Sequence, residues 1–279
     1  MRPLSSAPII GAVEAAAWTD AVRIDVRWTL GGPSKEAEYA AGHLPGAVWL
    51  DFDRDVCGPP GPGGRHPLPD PEALQAVLRA AGIDDGSPVL VYDDGDGMSA
   101  ARTWWTLRWA GIEDVRVLLG GFKAWTDAGL PVETQAPASS TLASGESAQR
   151  PEGNVTVRPG SLPVLDADGA AAWAAEHDLV DVRAPERYRG EVEPIDPVAG
   201  HIPGAVNRFL GEDDLGDVDR IRARYESIAE PAFYCGSGVG AARSALALTA
   251  AGRPTPPVYI GSWSEWSSGG REVARGEES

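Results

Sequence analysis

Short, mainly apolar runs alternate along this chain with longer segments of helical spacing. Ala21–Val26, Val89–Tyr92 and Val115–Leu119 fall in the first half, and Leu179–Val182, Ala232–Tyr234 and Val258–Ile260 in the second. Runs this short and this apolar predict buried strands. Between them, Pro71–Ala81 predicts a helix with Asp70 as N-cap and Gly82 as its stop. Ser99–Ala110 and Gly240–Ala251 are rich in Ala, Leu or Trp, and each is closed by a glycine. Strand alternating with helix predicts an α/β fold whose parallel sheet is covered on both faces.

The two halves also carry the same blocks in the same order. Asp25-Val26-Arg27 precedes Gly42-His43-Leu44-Pro45-Gly46-Ala47-Val48, just as Asp181-Val182-Arg183 precedes Gly200-His201-Ile202-Pro203-Gly204-Ala205-Val206. Ala100-Ala101-Arg102 is answered by Ala241-Ala242-Arg243. Val117-Leu118-Leu119-Gly120 with Trp125 is answered by Val258-Tyr259-Ile260-Gly261 with Trp266. A repeat this long is a duplicated domain rather than a solenoid unit. The seam lies around residues 133–158, where Ser, Ala, Pro, Gly and Glu dominate and apolar periodicity is weak until Val155. The expected organisation is a first domain over 1–133, a linker over 134–158 and a second domain over 159–279.

Composition narrows the partners. The 279 residues are enough for two separate cores. With 24 Lys and Arg against 41 Asp and Glu, the net charge of −17 argues against nucleic acid and anionic membrane surfaces. No apolar run approaches the roughly 20 residues that span a bilayer. The opening stretch, with one Arg and Glu14 inside its apolar part, is not expected to act as a signal peptide. Two cysteines in unlike surroundings, Cys57 and Cys235, exclude a disulfide scaffold and a multi-thiolate metal site. The expected setting is cytoplasmic and reducing.

The candidate chemistry sits in Tyr234-Cys235-Gly236-Ser237-Gly238-Val239-Gly240, between a predicted buried strand and a predicted helix. Ligands of open α/β sheets bind at the carboxyl ends of strands. Gly236, Gly238 and Gly240 let the backbone curl and turn its amides inward. Such a nest at a helix N-terminus stabilises an anion, here the Cys235 thiolate. A lone cysteine is more often a small buried hydrophobe, but three glycines in the next five positions argue otherwise. A nucleotide loop is disfavoured because no Lys-Ser or Lys-Thr follows. A cysteine phosphatase needs an Arg six residues after the Cys; position 241 is Ala, and Arg243 comes two residues too late. The ring is better sized for one sulfur atom than for a phosphoryl group.

These blocks together resemble the two-domain rhodanese family, the thiosulfate and 3-mercaptopyruvate sulfurtransferases. The resemblance covers nearly the whole chain and adds Arg187-Tyr188, Cys235-Gly236-Ser237-Gly238-Val239 and Gly261-Ser262-Trp263-Ser264-Glu265-Trp266 to the blocks above. It implies tandem rhodanese domains, each a five-stranded parallel sheet flanked by helices, with the cysteine in the second. Aligning Arg102 on Arg243 puts Asp94 opposite Cys235, which makes the first domain catalytically silent.

The resemblance also implies a reaction. Cys235 takes sulfane sulfur from a small anionic donor as a persulfide and passes it to a thiol or cyanide, without metal or organic cofactor. A thioredoxin-like protein is one candidate acceptor. Arg187 matches the family's substrate-binding Arg, and Arg183 stands evenly between a substrate cation and a structural ion pair. Gly236, Gly238, Val239 and Gly240 complete the loop around the sulfur. The Cys-Gly-Ser-Gly loop looks like the mercaptopyruvate branch, in which Asp53, His66 and Ser237 match a proton relay. His66 reads equally well as an exposed loop histidine. Two departures stand out. Gly240 replaces a Ser or Thr, and Glu193-Pro194-Ile195-Asp196 stands where a second substrate Arg is expected. One missing guanidinium weakens the grip on a carboxylate by about 1.5–3 kcal/mol, which leaves thiosulfate and mercaptopyruvate both open as donors. The alternative to an enzyme is a carrier that holds a persulfide for a partner protein.

The remaining residues have structural readings. Trp104, Trp105 and Trp109 fall at helical spacing and suit a core, as do Trp263 and Trp266. His43 and His201, at equivalent places in the two copies, read as structural. Cys57 lies in a turn-rich stretch without a cradle and reads as incidental.

Overall fold

The computed structural model describes residues 7–134 and 151–277. Two parallel sheets of five strands are built on one plan. In the first, β1 (Ile9–Ile10), β2 (Val22–Asp25), β3 (Val48–Trp49), β4 (Val89–Tyr92) and β5 (Val115–Leu118) lie in the order β1-β5-β4-β2-β3. In the second, β6 (Val164–Leu165), β7 (Asp178–Asp181), β8 (Val206–Asn207), β9 (Pro231–Tyr234) and β10 (Val258–Tyr259) lie in the order β6-β10-β9-β7-β8. The central strands β4 and β9 are buried at every residue, as strands covered on both faces must be. The edge strands β1, β3, β6 and β8 are two residues each, too short to leave a periodic signature.

The helices form close to where their spacing places them. Pro71–Ala80 starts on Asp70, whose carboxylate accepts from the Glu72 and Ala73 amides. Met98–Trp109 and Val239–Ala250 each start one residue before their expected bounds, behind Gly97 and Gly238 in the left-handed region. Trp104, Trp105, Trp125, Trp263 and Trp266 are buried. The Trp263 and Trp266 indole N–H groups donate to the Val198 and Glu272 carbonyls, so their polar edges are satisfied in the core.

The partition of the chain differs from a simple cut at the seam. Described residues up to Val56, with 69–134 and 151–159, form one compact unit; residues 160–277 form the other together with Cys57–Leu68. Of the expected linker, 135–150 lies outside the described residues. Residues 151–158 contribute to the first unit: Val155 is buried, and the Gly153, Val155 and Arg158 amides donate to the Arg79, Ile83 and Ala110 carbonyls. The segment 57–68 closes on itself through the Gly58 amide to the Pro67 carbonyl, and it packs on the second unit at Gly64. A Cβ on Gly64 would lie 2.8 Å from the Gly261 carbonyl oxygen, at φ +102°, so a side chain there is excluded.

The twin Asp-Val-Arg blocks perform one structural task twice. Arg27 Nη2 donates to Asp25 (2.8 Å) and to the Gly42 carbonyl (2.7 Å), with its guanidinium over Phe122. Arg183 Nη2 donates to Asp181 (2.6 Å) and to the Gly200 carbonyl (2.7 Å), with its guanidinium over Trp263. Arg183 is therefore committed to the fold, and the substrate reading of this residue gives way to the structural one. His43 and His201 form a second pair, each bonding the carbonyl of a tyrosine (Tyr39, Tyr188) at 2.8 Å and stacking on its ring.

Removing either arginine leaves a buried carboxylate without its counter-charge. Arg27→Ala and Arg183→Ala are both expected to cost about 3–5 kcal/mol in urea unfolding. An effect of Arg183→Ala on KM with stability unmoved would return this residue to the substrate.

Candidate active site

The loop after β9 is shaped around one sulfur atom. The Ser237 and Gly238 amides point at Cys235 Sγ, with N···S distances of 3.4 and 3.2 Å. Gly238 makes this possible: at φ +82° it turns the chain back into the helix Val239–Ala250. Val239 and Gly240 are the first two residues of that helix. Cys235 is 6% exposed, at the end of a fully buried strand.

A second loop pins the first. The Cys235 amide donates to Ser262 Oγ (3.1 Å), and Ser262 Oγ donates to the Tyr259 carbonyl (2.8 Å). The Trp263 and Ser264 amides donate to the Cys235 and Gly236 carbonyls at 3.0 and 2.9 Å. Ser262 holds φ +52°, a left-handed conformation rare for a non-glycine residue. With its carbonyls fixed on one side, the loop has its amides free to face the sulfur on the other.

The segment 57–68 supplies two more groups to the same unit. His66 is buried and shares a 2.8 Å hydrogen bond between its Nδ1 and Ser237 Oγ. That removes the exposed-loop reading of this histidine. Arg65, which the sequence analysis passed over, has its amide held by Ser264 Oγ (3.1 Å), and its guanidinium pairs with Asp196. Gly63-Gly64-Arg65-His66 offered a signal, a cation beside the candidate histidine behind two glycines. What it faces is decided by packing between residues far apart in sequence.

Arg187 comes from the short helix Pro185–Tyr188. Its Nη2 donates to Glu193 (2.6 Å) and lies 3.4 Å from Asp196. In the first unit Tyr39 has the role of Tyr188, since each hydroxyl donates to a carbonyl, of Ala47 and Ala205, at 2.7 Å. The residue before it there is Glu38, so the first unit makes the same tyrosine contact without a guanidinium at this position. Asp53 belongs to the first unit, in the turn Phe52–Val56, where it accepts from Trp28 Nε1 at 2.9 Å. Cys57 is buried and forms no disulfide. Among the described residues, no cluster of three or more His, Cys, Asp or Glu side chains could hold a metal ion, and no helix is long and apolar enough to cross a membrane.

The matching loop of the first unit is filled from within, and by a different residue than the alignment on Arg102 implies. Tyr92 matches Tyr234: the two accept the Leu44 and Ile202 amides on their hydroxyls, both at 3.2 Å. The next residue, Asp93, therefore stands in the place of Cys235. The Phe122 amide donates to the Asp93 carbonyl as the Trp263 amide does to that of Cys235. The loop from Tyr92 to Gly97 is one residue longer than that from Tyr234 to Gly238, which shifts the sequence alignment to Asp94. The Asp93 carboxylate accepts from the Gly95 (2.9 Å), Gly97 (3.3 Å) and Ala100 (3.2 Å) amides. Burial, with the Asp96 charge adding to it, pushes this carboxyl up to about 7 against the pull of those amides.

Comparison with known proteins agrees with both halves of the architecture. The family model for the rhodanese-like domain matches residues 12–128 and 166–269. A Pseudomonas aeruginosa protein named "Probable 3-mercaptopyruvate sulfurtransferase" is 42% identical over 98% of this chain and 100% of its own length. A Mycobacterium tuberculosis protein named "Putative thiosulfate sulfurtransferase SseB" is 41% identical over 98% of this chain and 96% of its own. Among solved structures, the 3-mercaptopyruvate sulfurtransferase from Leishmania major superposes with a TM-score of 0.82 at 27% identity, covering 96% of this chain and 76% of that one.

The raised Asp93 carboxyl carries a pH signature. Between the unfolded value near 4 and the folded value near 7, the folded protein holds the extra proton, so this group's contribution to stability falls as pH rises through that window. In urea unfolding, wild type is expected to lose stability relative to Asp93→Asn between pH 5 and pH 8.

Proposed function

Because the chain belongs to the rhodanese family, we infer that it is a sulfurtransferase working through a persulfide on Cys235. The observation that carries this reading is the pair of backbone amides aimed at Cys235 Sγ. They offer charge stabilisation to the Cys235 thiolate that takes up the sulfur.

Two donors fit the reading. With thiosulfate, the Cys235 thiolate attacks the outer sulfur, the S–S bond breaks, and sulfite leaves with the electron pair. With 3-mercaptopyruvate, the thiolate attacks the donor's sulfur, the C–S bond breaks, and pyruvate leaves. Its methyl group is completed by the proton that began on the donor's thiol. Ser237 and His66, already hydrogen-bonded at 2.8 Å, are suited to pass that proton. In the second half-reaction an acceptor thiolate, or cyanide, takes the outer sulfur and Cys235 returns as the thiolate. A small dithiol protein of the thioredoxin kind meets this need, and two cysteines that form no disulfide, Cys57 and Cys235, suit a reducing compartment such as the cytoplasm.

The first unit is read as silent for a stated reason: a carboxylate cannot form a persulfide, and Asp93 already takes the amides that a sulfur would need. Arg187 is the cation for the donor's anionic group. The part of Asp53 in the proton relay is proposed from the resemblance alone; its carboxylate accepts from Trp28 Nε1.

Cys235→Ala is expected to abolish turnover with both donors while the protein stays folded by circular dichroism; undiminished turnover would refute the role. Wild type should release many sulfurs per chain with cyanide as acceptor, whereas a carrier would release one at most. Ser237→Ala is expected to lower kcat for 3-mercaptopyruvate by about 10²–10⁴, the range of a lost general acid–base group, and to affect thiosulfate much less, since that reaction needs no proton on carbon.

A further inference from the structure

The cysteine loop is overlooked by two guanidinium groups, and the space between them holds an internal carboxylate. A Cβ placed on Gly236, next to Cys235, would lie 3.0 Å from Arg65 Nη2 and 3.6 Å from Arg187 Nη1. The Arg65 and Arg187 side chains keep 25% and 18% of their surface in solvent. One oxygen of Asp196 pairs with Arg65, and the other lies 3.4 Å from Arg187 Nη2. A carboxylate spanning two guanidinium groups is the contact a carboxylate- or sulfonate-bearing donor would make.

The segment carrying Asp196 is peculiar to the second unit. Two residues separate Tyr39 from Gly42 in the first copy, and eleven separate Tyr188 from Gly200 in the second. Glu193, within that insertion, is tied down: it pairs with Arg183 and Arg187 and accepts the Ile195 and Asp196 amides. The Asp196 side chain, as buried as that of Glu193, rests on Arg65 and Arg187. Burial pushes its carboxyl above the ordinary range, while Arg65 and Arg187 pull it back.

We propose that Arg65 and Arg187 form a two-guanidinium seat for the donor's anionic group, and that Asp196 occupies this seat at rest and must be displaced by the donor. Arg65 then takes the place of the second substrate cation missing from residues 193–196, and Asp196 sets how strongly an anion must compete. This deepens the sulfurtransferase reading and rests on it for the identity of the donor.

The test follows two substitutions that should move in opposite directions. Arg65→Ala is expected to raise KM for thiosulfate and for 3-mercaptopyruvate by about tenfold to a hundredfold, the loss falling on KM rather than kcat. Asp196→Asn, nearly isosteric, is expected to lower both KM values by about tenfold. If Asp196 merely braces Arg65, Asp196→Asn raises KM as Arg65→Ala does, and the proposal is overturned. KM values within about twofold of wild type for both variants overturn it as well. A readout without turnover separates this inference from the reaction itself. In the Cys235→Ala background, calorimetric binding of pyruvate should weaken with Arg65→Ala and tighten with Asp196→Asn. Opposite shifts there uphold the seat even if wild type turned over neither donor, a result that would sink only the sulfurtransferase reading.

Discussion

Two amide N–H groups directed at one sulfur atom are what the rest of the second unit is arranged to provide. They face inward because the carbonyls of the same loop are taken on the other side, by the Trp263 and Ser264 amides. Ser262 fixes the start of the loop through the Cys235 amide and itself bears a left-handed backbone conformation. A loop left to water would have no reason to keep its donors convergent. The buried strand β9, the helix Val239–Ala250 and the loop after β10 together remove that freedom before any donor arrives.

The molecule also contains its own comparison. Both units hold the same buried Asp–Arg pair, the same Tyr–His stack and the same tyrosine hydroxyl accepting a backbone amide. These are features of the scaffold, since they persist where no cysteine is present. What differs is informative for the same reason. Asp93 fills the first cradle from inside, and Glu38 stands where Arg187 stands in the second. The two copies differ in what occupies a shared frame.

Charge around the cysteine is balanced rather than simply positive. Arg65, Arg183 and Arg187 meet Asp181, Glu193 and Asp196 at close range, within a chain of net charge −17. In the proposed seat an incoming anion exchanges one carboxylate partner for another rather than falling into a positive well.

What the residues alone determined is what is written locally. The unbroken apolar runs marked β4 and β9, Asp70 marked a helix start, the repeated blocks marked two copies, and the glycines after Cys235 marked a cradle. Each of these signals lies within a few residues of the feature it specifies. Tertiary structure decided the rest. It paired two-residue edge strands too short to leave a pattern, and it carried residues 57–68 to the second unit, bringing Arg65 and His66 beside a loop far along the chain. It gave Arg183 to Asp181 and the Gly200 carbonyl, and it put Asp93 rather than Asp94 in the sulfur's place. Those outcomes turn on which distant groups satisfy one another's charges and hydrogen bonds, and on a loop longer by a single residue. Spacing along the chain carries no record of either.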